Sequence, residues 1–163
     1  VCQGYGHGVL APGGPAPDIA ATDQLGEPFA LHASLASTGA RHLVFFYPRA
    51  STPGCTQQAC GLRDVLDRSL GTVVVGVSPD RPPALRRFHD QHRLGFTLVS
   101  DPDHVAADAY GVWQQKTMYG RTSMGIVRSA FLVSPDGRID EAWYRISPKD
   151  TPVRLLTALG VTS

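Results

Sequence analysis

Two cysteines five residues apart are the residues of this chain best suited to chemistry. Cys55 and Cys60 stand in the run Tyr47-Pro48-Arg49-Ala50-Ser51-Thr52-Pro53-Gly54-Cys55-Thr56-Gln57-Gln58-Ala59-Cys60. Thr followed by Pro is the order favoured at a helix N-cap and first helical position, so a helix is expected to begin at Pro53 with Cys55 in its first turn. Backbone N–H groups there lack intrahelical acceptors, and the helix dipole favours negative charge. Both effects support a thiolate, the nucleophilic form of cysteine. No acidic side chain in the run opposes that charge, and Arg49 can assist it. The setting suits attack on an electrophilic oxygen or sulfur.

The spacing has a mechanical consequence. Five residues along a regular helix place two Cα atoms about 8 to 9 Å apart, whereas a disulfide spans roughly 4.4 to 6.8 Å. If both thiols start on one helix and then join, its first turns must unwind. Other readings stand beside this one. Cys60, between Ala59 and Leu62, also suits a small core residue. A zinc site is disfavoured by the Cys-x4-Cys spacing, and His42 reads as a strand-edge residue. Three cysteines are too few for a disulfide scaffold, and an odd number leaves one unpaired.

The elements that must position these residues can be read from the apolar pattern. Leu43 to Tyr47, a continuous apolar and aromatic run, predicts a buried central strand leading into the cysteine segment. Leu62, Val65, Leu66 and Ser69-Leu70 recur at helical spacing, which extends the expected helix from Pro53 to about Leu70, with Gly71 as its stop. Thr72 to Val77 predicts a second buried strand. Pro82-Pro83 opens a helix to about Leu94, with Gly95 at its C-cap, and Phe96 to Val99 predicts another strand.

Asp101-Pro102-Asp103 marks a helix over His104 to Tyr110, followed by a loop from Trp113 to Met124. In that loop Trp113, Met118 and Tyr119 suit an apolar wall or access lip, though packing over the sheet is the simpler reading. Ser129 to Val133 and Ile139 to Tyr144 predict an antiparallel hairpin around Ser134-Pro135-Asp136-Gly137. Thr151-Pro152 starts a last helix with Val153, Leu155, Leu156 and Leu159 on its apolar side. The Gly- and Pro-rich stretch Val1 to Asp18 reads as extended, and Phe29 to Leu31 as a short edge strand. Alternating strands and helices followed by a hairpin imply an α/β fold, a central mixed sheet with helices on both faces.

Composition narrows the function classes. The 163 residues fit one domain, and 15 basic against 14 acidic side chains give a formal charge of +1, which points to neither nucleic acid nor an anionic membrane. The longest apolar runs fall far short of the roughly 20 residues needed to span a bilayer, and no secretory signal pattern opens the sequence.

These residues resemble the peroxiredoxins, and within them the atypical two-cysteine branch called peroxiredoxin Q or bacterioferritin comigratory protein. The likeness is carried by Phe46-Tyr47-Pro48, Thr52-Pro53-Gly54-Cys55-Thr56 and Ala59-Cys60-Gly61-Leu62-Arg63-Asp64. It continues through Gly76-Val77-Ser78-Pro79-Asp80, Leu98-Val99-Ser100-Asp101, Tyr110-Gly111-Val112-Trp113, Met118-Tyr119-Gly120 and Met124 to Leu132. It covers residues 10–163 as one domain and leaves residues 1–9, with Cys2, as a leader outside the match.

The resemblance implies a thioredoxin-like fold and reduction of hydrogen peroxide or organic hydroperoxides without metal, haem or flavin. By position, Cys55 matches the peroxidatic cysteine, Cys60 the resolving one, and Thr52 the hydroxyl that bonds the peroxide. Pro48 matches the ring that shields the thiolate, and Arg128 a strand-borne arginine that stabilises charge on sulfur and oxygen. The oxidised pair would be reduced by thioredoxin or a similar dithiol, in the cytoplasm, and an intramolecular disulfide makes a monomer sufficient. Gln58, where many relatives carry Glu, and Ala50 depart from the pattern, and neither is expected to touch the catalytic positions. Two other classes compete: a general disulfide oxidoreductase, whose usual Cys-x-x-Cys is missing here, and a redox sensor or holdase-like module using the same pair as a switch.

Overall fold

The computed structural model describes residues 9–161; Cys2 and the start of the leader lie outside the described residues. Strands β1 (Ala20–Asp23), β2 (Pro28–Ala30), β3 (His42–Phe46), β4 (Val73–Ser78), β5 (Thr97–Ser100), β8 (Ser129–Val133) and β9 (Ile139–Trp143) form one sheet in the order β2-β1-β5-β4-β3-β8-β9. Its centre, β5-β4-β3, is parallel, and β8, β9, β1 and β2 add antiparallel to either side. Between β5 and β8 in the chain, β6 (Trp113–Met118) and β7 (Arg121–Ile126) make a separate antiparallel hairpin.

The period-2 alternation of β3 sorts its side chains onto two faces. Val44 and Phe46 join Val75, Val77, Val99 and Phe131 in one core, closed by Leu31 and Leu35 of α1 (Leu31–Thr38) and Ala106 and Ala107 of α4 (Val105–Ala109). Leu43, Phe45 and Tyr47 point the other way. They pack with Cys55, Ala59 and Leu62 of α2 (Pro53–Asp64), Leu85 and Phe88 of α3 (Pro82–His92), and Leu155 of α5 (Asp150–Ala158). The cysteine helix thus lies on a face of the sheet between two other helices, over an aromatic floor in which Phe45 and Tyr47 stack. A mixed sheet covered on both faces is the architecture expected.

Several expectations need correction. The helix that starts at Pro53 ends at Asp64 rather than Leu70, because the chain tightens: Val65 bonds back to Leu62, Arg68 to Val65 and Ser69 to Leu66, in 3-10 fashion. Apolar spacing alone cannot separate these two ladders. The C-cap of α3 is Arg93 in the left-handed region, not Gly95, and it turns Leu94 into the core. In α4 the Asp101 carboxylate accepts the amides of Ala106 and Ala107, so that helix begins at Val105. In α5 Val153 is 61% exposed, while Thr151 and Pro152 face inward. The edge strand is Pro28–Ala30, and Leu31 already belongs to α1, which the pattern did not reveal.

The supposed loop over Trp113 to Met124 is the β6–β7 hairpin. Its sequence, Gln114-Gln115-Lys116 facing Ser123-Met124-Gly125, buries too little for an alternating pattern to show. Trp113 stacks on His104 at 3.7 Å between ring centroids, and Tyr119 at the tip is 96% exposed rather than packed over the sheet. The described part of the Gly- and Pro-rich stretch, residues 9–18, forms no strand beyond an isolated bridge from Pro15 to Arg138 but is docked: Gly13 and Ala16 donate backbone bonds to Ile139 and Gly137, and the Leu10 amide bonds the Tyr144 hydroxyl.

His42 is fully buried in β3 rather than at an exposed edge. Its Nδ1 faces the Ala40 carbonyl at 3.1 Å, so Nδ1 carries the proton, and Nε2 then accepts from the Ser34 hydroxyl at 2.7 Å. Burial holds its pKa below the usual imidazole value, against the opposing bonds to the Ala40 and Arg41 backbone. The unfolded chain therefore binds a proton, near pH ~6.5, that the folded chain resists. Thermal stability is expected to be complete above that pH and to fall as the pH drops from about 7 to 5. The slope should be shallower in His42→Gln, measured by thermal unfolding at each pH.

Candidate active site

The strand β3 delivers its chain into a tight turn, and the turn starts α2. Ser51 takes a positive φ of 65°, a costly conformation for a residue with a side chain. The turn is pinned from the neighbouring strand end: Asp80 Oδ2 accepts the Ala50 amide at 2.7 Å and the Ser78 hydroxyl at 2.8 Å. Thr52 occupies the N-cap with extended backbone, and Pro53 is the first helical residue, as expected. The Thr52 hydroxyl does not cap the helix. It donates to the Arg49 carbonyl at 2.8 Å, which leaves its oxygen lone pairs free to accept.

The helical ladder opens with Thr56 N–H bonding the Thr52 carbonyl at 2.8 Å. Cys55, the third helical residue, therefore lies within the first turn, where the helix end is positive. Its side chain is buried among Tyr47, Ala59 and Leu62. Cys60 lies on the same unbroken helix and is half-buried, and both thiols are free. Pro48 sits half-buried at the mouth of the turn, and Arg49 is exposed.

Arg128 reaches this thiol from far along the chain. It stands in the two-residue link between β7 and β8, one residue before the strand, with its carbonyl accepting the Ile146 amide. Its Nη1 lies 3.3 Å from Cys55 Sγ and donates to Gln58 Oε1 at 2.8 Å. Gly54 leaves room for this approach: a Cβ there would lie 3.2 Å from Arg128 Nη2, and the guanidinium would have to give way slightly. The structure thus brings Arg128 onto Cys55, sets Thr52 at the N-cap of the same helix and Pro48 in the turn before it, and leaves Cys60 on that helix, whose geometry keeps it beyond bonding reach of Cys55.

Three residues that the local pattern does not mark belong to the surroundings. Gln58, expected to touch none of the catalytic positions, bonds Arg128 directly and is fully buried. A signal for it exists, since a glutamine three residues after Cys55 falls on the same helical face. Thr151 accepts from Gln58 at 2.9 Å, a contact across 93 residues that no local pattern encodes. Lys116 of β6 lies along the backbone of Gly125, and it is close enough to Arg128 and Cys55 for their charges to act on it. Burial lowers its pKa, and the neighbouring Arg128 and Arg145 add to this against the pull of Cys55. The buried Tyr47 hydroxyl makes no hydrogen bond of regular geometry among the described residues, although Ser78 lies close enough to act on it, and burial pushes its pKa up.

Among the described residues no three of His, Cys, Asp and Glu converge so as to hold a metal ion, and no helix is long and apolar enough to cross a membrane. The arrangement is a buried thiol at a helix N-terminus, one guanidinium on its sulfur, one hydroxyl with free lone pairs, and a second thiol in reserve. It can stabilise a thiolate and the negative charge that develops on an oxygen the sulfur attacks.

Comparison with known proteins places this arrangement. The AhpC/TSA family model matches residues 12–142. The peroxiredoxin Bcp of Escherichia coli K12 is 45% identical over 136 residues, covering 82% of this chain and 85% of that protein. The bacterioferritin comigratory protein of Xanthomonas campestris, solved in trapped intermediate and ligand complexes bearing on its alkyl peroxide reduction, superposes with a TM-score of 0.81. It is 30% identical and covers 93% of this chain and 96% of that one. The PrxQ of Xylella fastidiosa, solved as a cysteine-to-serine mutant, gives a TM-score of 0.83 at 26% identity, covering 93% and 96%. With its thioredoxin-like sheet and a cysteine at the start of the helix that follows the central strand, the chain belongs to the AhpC/TSA family and, within it, to the peroxiredoxins of the Bcp or PrxQ type, which are thiol peroxidases.

Proposed function

We propose that Cys55 is the peroxidatic residue and Cys60 the resolving one. The Cys55 thiolate attacks the terminal oxygen of a hydroperoxide, breaking the O–O bond; sulfur becomes a sulfenic acid and the other oxygen leaves as water or an alcohol after taking a proton. Cys60 then attacks the oxidised sulfur, its own proton leaves with the hydroxide as water, and a Cys55–Cys60 disulfide forms. Exchange with thioredoxin or a similar dithiol, of the kind kept reduced in the cytoplasm, returns both thiols. The whole cycle uses cysteines of one chain, so a monomer suffices. The observation that carries this reading is Arg128 Nη1 at 3.3 Å from the sulfur of a cysteine in the first turn of α2.

The direct test is mass spectrometry after one equivalent of hydrogen peroxide without reductant. The expected product has lost two hydrogens, mapped to a Cys55–Cys60 link. Cys60→Ser should instead accumulate a dimedone-reactive sulfenic acid on Cys55 and lose turnover with thioredoxin. A variant that still turned over at the full rate would remove Cys60 from the cycle.

Thr52 supplies an acceptor for the proton on the oxygen that the sulfur attacks, because its own hydroxyl proton is donated to the Arg49 carbonyl. Thr52→Val is expected to lower the rate constant of the first step about tenfold to a hundredfold, and Thr52→Ser to restore most of it. Equal losses in the two variants would reduce Thr52 to a structural turn residue.

A further inference from the structure

Gln58 lies between the two cysteines in sequence and is completely buried. Each end of its amide is engaged. The oxygen accepts from Arg128 Nη1 at 2.8 Å, and the nitrogen donates to Thr151 Oγ1 at 2.9 Å. Thr151 in turn donates its hydroxyl proton to the Ser147 carbonyl at 2.9 Å. That bond leaves the threonine oxygen as an acceptor, and Arg128 can only donate, so the amide has one orientation in which both bonds form. The result is a directional chain from the first turn of α5, through α2, to the guanidinium nitrogen that touches Cys55 Sγ. Because Gln58 is neutral, it orients Arg128 without cancelling its charge.

The same contacts fasten α2 to α5. One turn beyond Gln58, the absence of a side chain at Gly61 lets Pro152 close in, since a Cβ there would fall 2.9 Å from Pro152 Cγ. Gln58–Thr151 and Gly61–Pro152 therefore bracket Cys60 on its helix. For Cys60 to reach Cys55, the intervening turns must unwind, and Gln58 cannot then stay between Arg128 and Thr151.

We infer that Gln58 and Thr151 are positioning residues whose bonds act oppositely on the two halves of the cycle: they hold Arg128 on Cys55 for the attack on peroxide, and they latch α2 against the unwinding that resolution requires. This rests on the peroxidatic and resolving roles proposed above. The latch sets how long the sulfenic acid waits, and so how often a second hydroperoxide oxidises it to a sulfinic acid. In that side reaction sulfur gains a second oxygen, the O–O bond breaks, and an alcohol or water leaves.

The test follows the two steps separately in the full chain by stopped-flow tryptophan fluorescence: a fast phase that depends on peroxide concentration and a slow phase that does not. Thr151→Val should speed the slow phase about fivefold, the equivalent of one net hydrogen bond, slow the fast phase several-fold, and lower the sulfinic fraction at high peroxide. Thr151→Ser should behave as the native protein in all three. Gln58→Glu sets a carboxylate against Arg128 and should move the pH midpoint of the fast phase upward, read independently from thiolate absorbance.

A native slow phase in Thr151→Val together with a native pH midpoint in Gln58→Glu would overturn the inference, as would a slower resolving phase in Thr151→Val. Should Thr151→Val not fold, the pH midpoint of Gln58→Glu decides. A native protein that forms no Cys55–Cys60 disulfide would instead fail the proposed cycle, which distinguishes the two failures.

Discussion

Cys55→Ser is expected to abolish peroxide consumption, with a loss of at least about 10³-fold in the rate constant of the first step, the scale seen when a covalent nucleophile is removed. The reason lies in what the site can ionise. One guanidinium nitrogen bonds the sulfur, and the sulfur stands in the first turn of α2, so negative charge placed there meets a cation and unpaired backbone N–H groups. An alcohol, far less acidic than a thiol, stays protonated and is a poor nucleophile toward peroxide oxygen. The exchange changes little else, because among the described residues Cys55 makes that one side-chain bond and serine fills nearly the same space. The variant should therefore fold and unfold like the native protein. Stopped-flow peroxide consumption with a dithiol reductant measures the effect, and undiminished turnover would sink the assignment of Cys55.

Arg128→Met should be the next most damaging change, lowering the rate constant for the first step about 10²- to 10³-fold while sparing the attack of Cys60 on the oxidised sulfur. Arg128 is the only side chain bonded to Cys55 Sγ among the described residues. Its loss removes both the partner of the thiolate and the cation nearest the oxygen on which charge develops. The pH dependence should move with it: without the cation the thiolate is less favoured, so the midpoint of the first step rises.

Lysine is not an equivalent replacement. A single ammonium lacks the planar fork that lets one guanidinium nitrogen serve Cys55 while the rest reaches past Gly54. Arg128→Lys is expected to recover only part of the loss. Arg128→Met also leaves Gln58 Oε1 buried without its donor, at a cost of about 1–3 kcal/mol, so a fall in melting temperature should accompany it. A rate that falls only as far as the melting temperature explains would make Arg128 structural.

What is legible in the sequence is local. Thr52-Pro53 announces the helix start, and the apolar run ahead of it announces the strand, so the first turn holding Cys55 follows from the order of residues alone. The five-residue spacing and the pitch of a helix already imply that both thiols cannot join while α2 is intact. Other parts are hidden for identifiable reasons. The β6–β7 hairpin carries polar residues on its strands, so no burial pattern marks it. The end of α2 is overextended by apolar spacing because 3-10 and α-helical ladders share a similar spacing over one turn. In α5 Val153 faces outward and Thr151 inward because the identity of the inward side depends on what α2 presents.

By itself, then, the sequence determined that a helix begins at Pro53 and that Cys55 falls in its first turn, since capping and helical spacing act over a few residues. Only the tertiary structure decided what surrounds the sulfur. Arg128 lies 73 residues from Cys55, and Thr151 lies 93 from Gln58. Their meeting depends on β8 pairing beside β3 and α5 packing on α2, which are long-range contacts. Gln58 shows the difference within a single residue. In the sequence it is a lost charge near a cysteine; in the folded chain it is the buried link between Arg128 and Thr151, because a side chain's partners are set by packing and not by its neighbours in the chain.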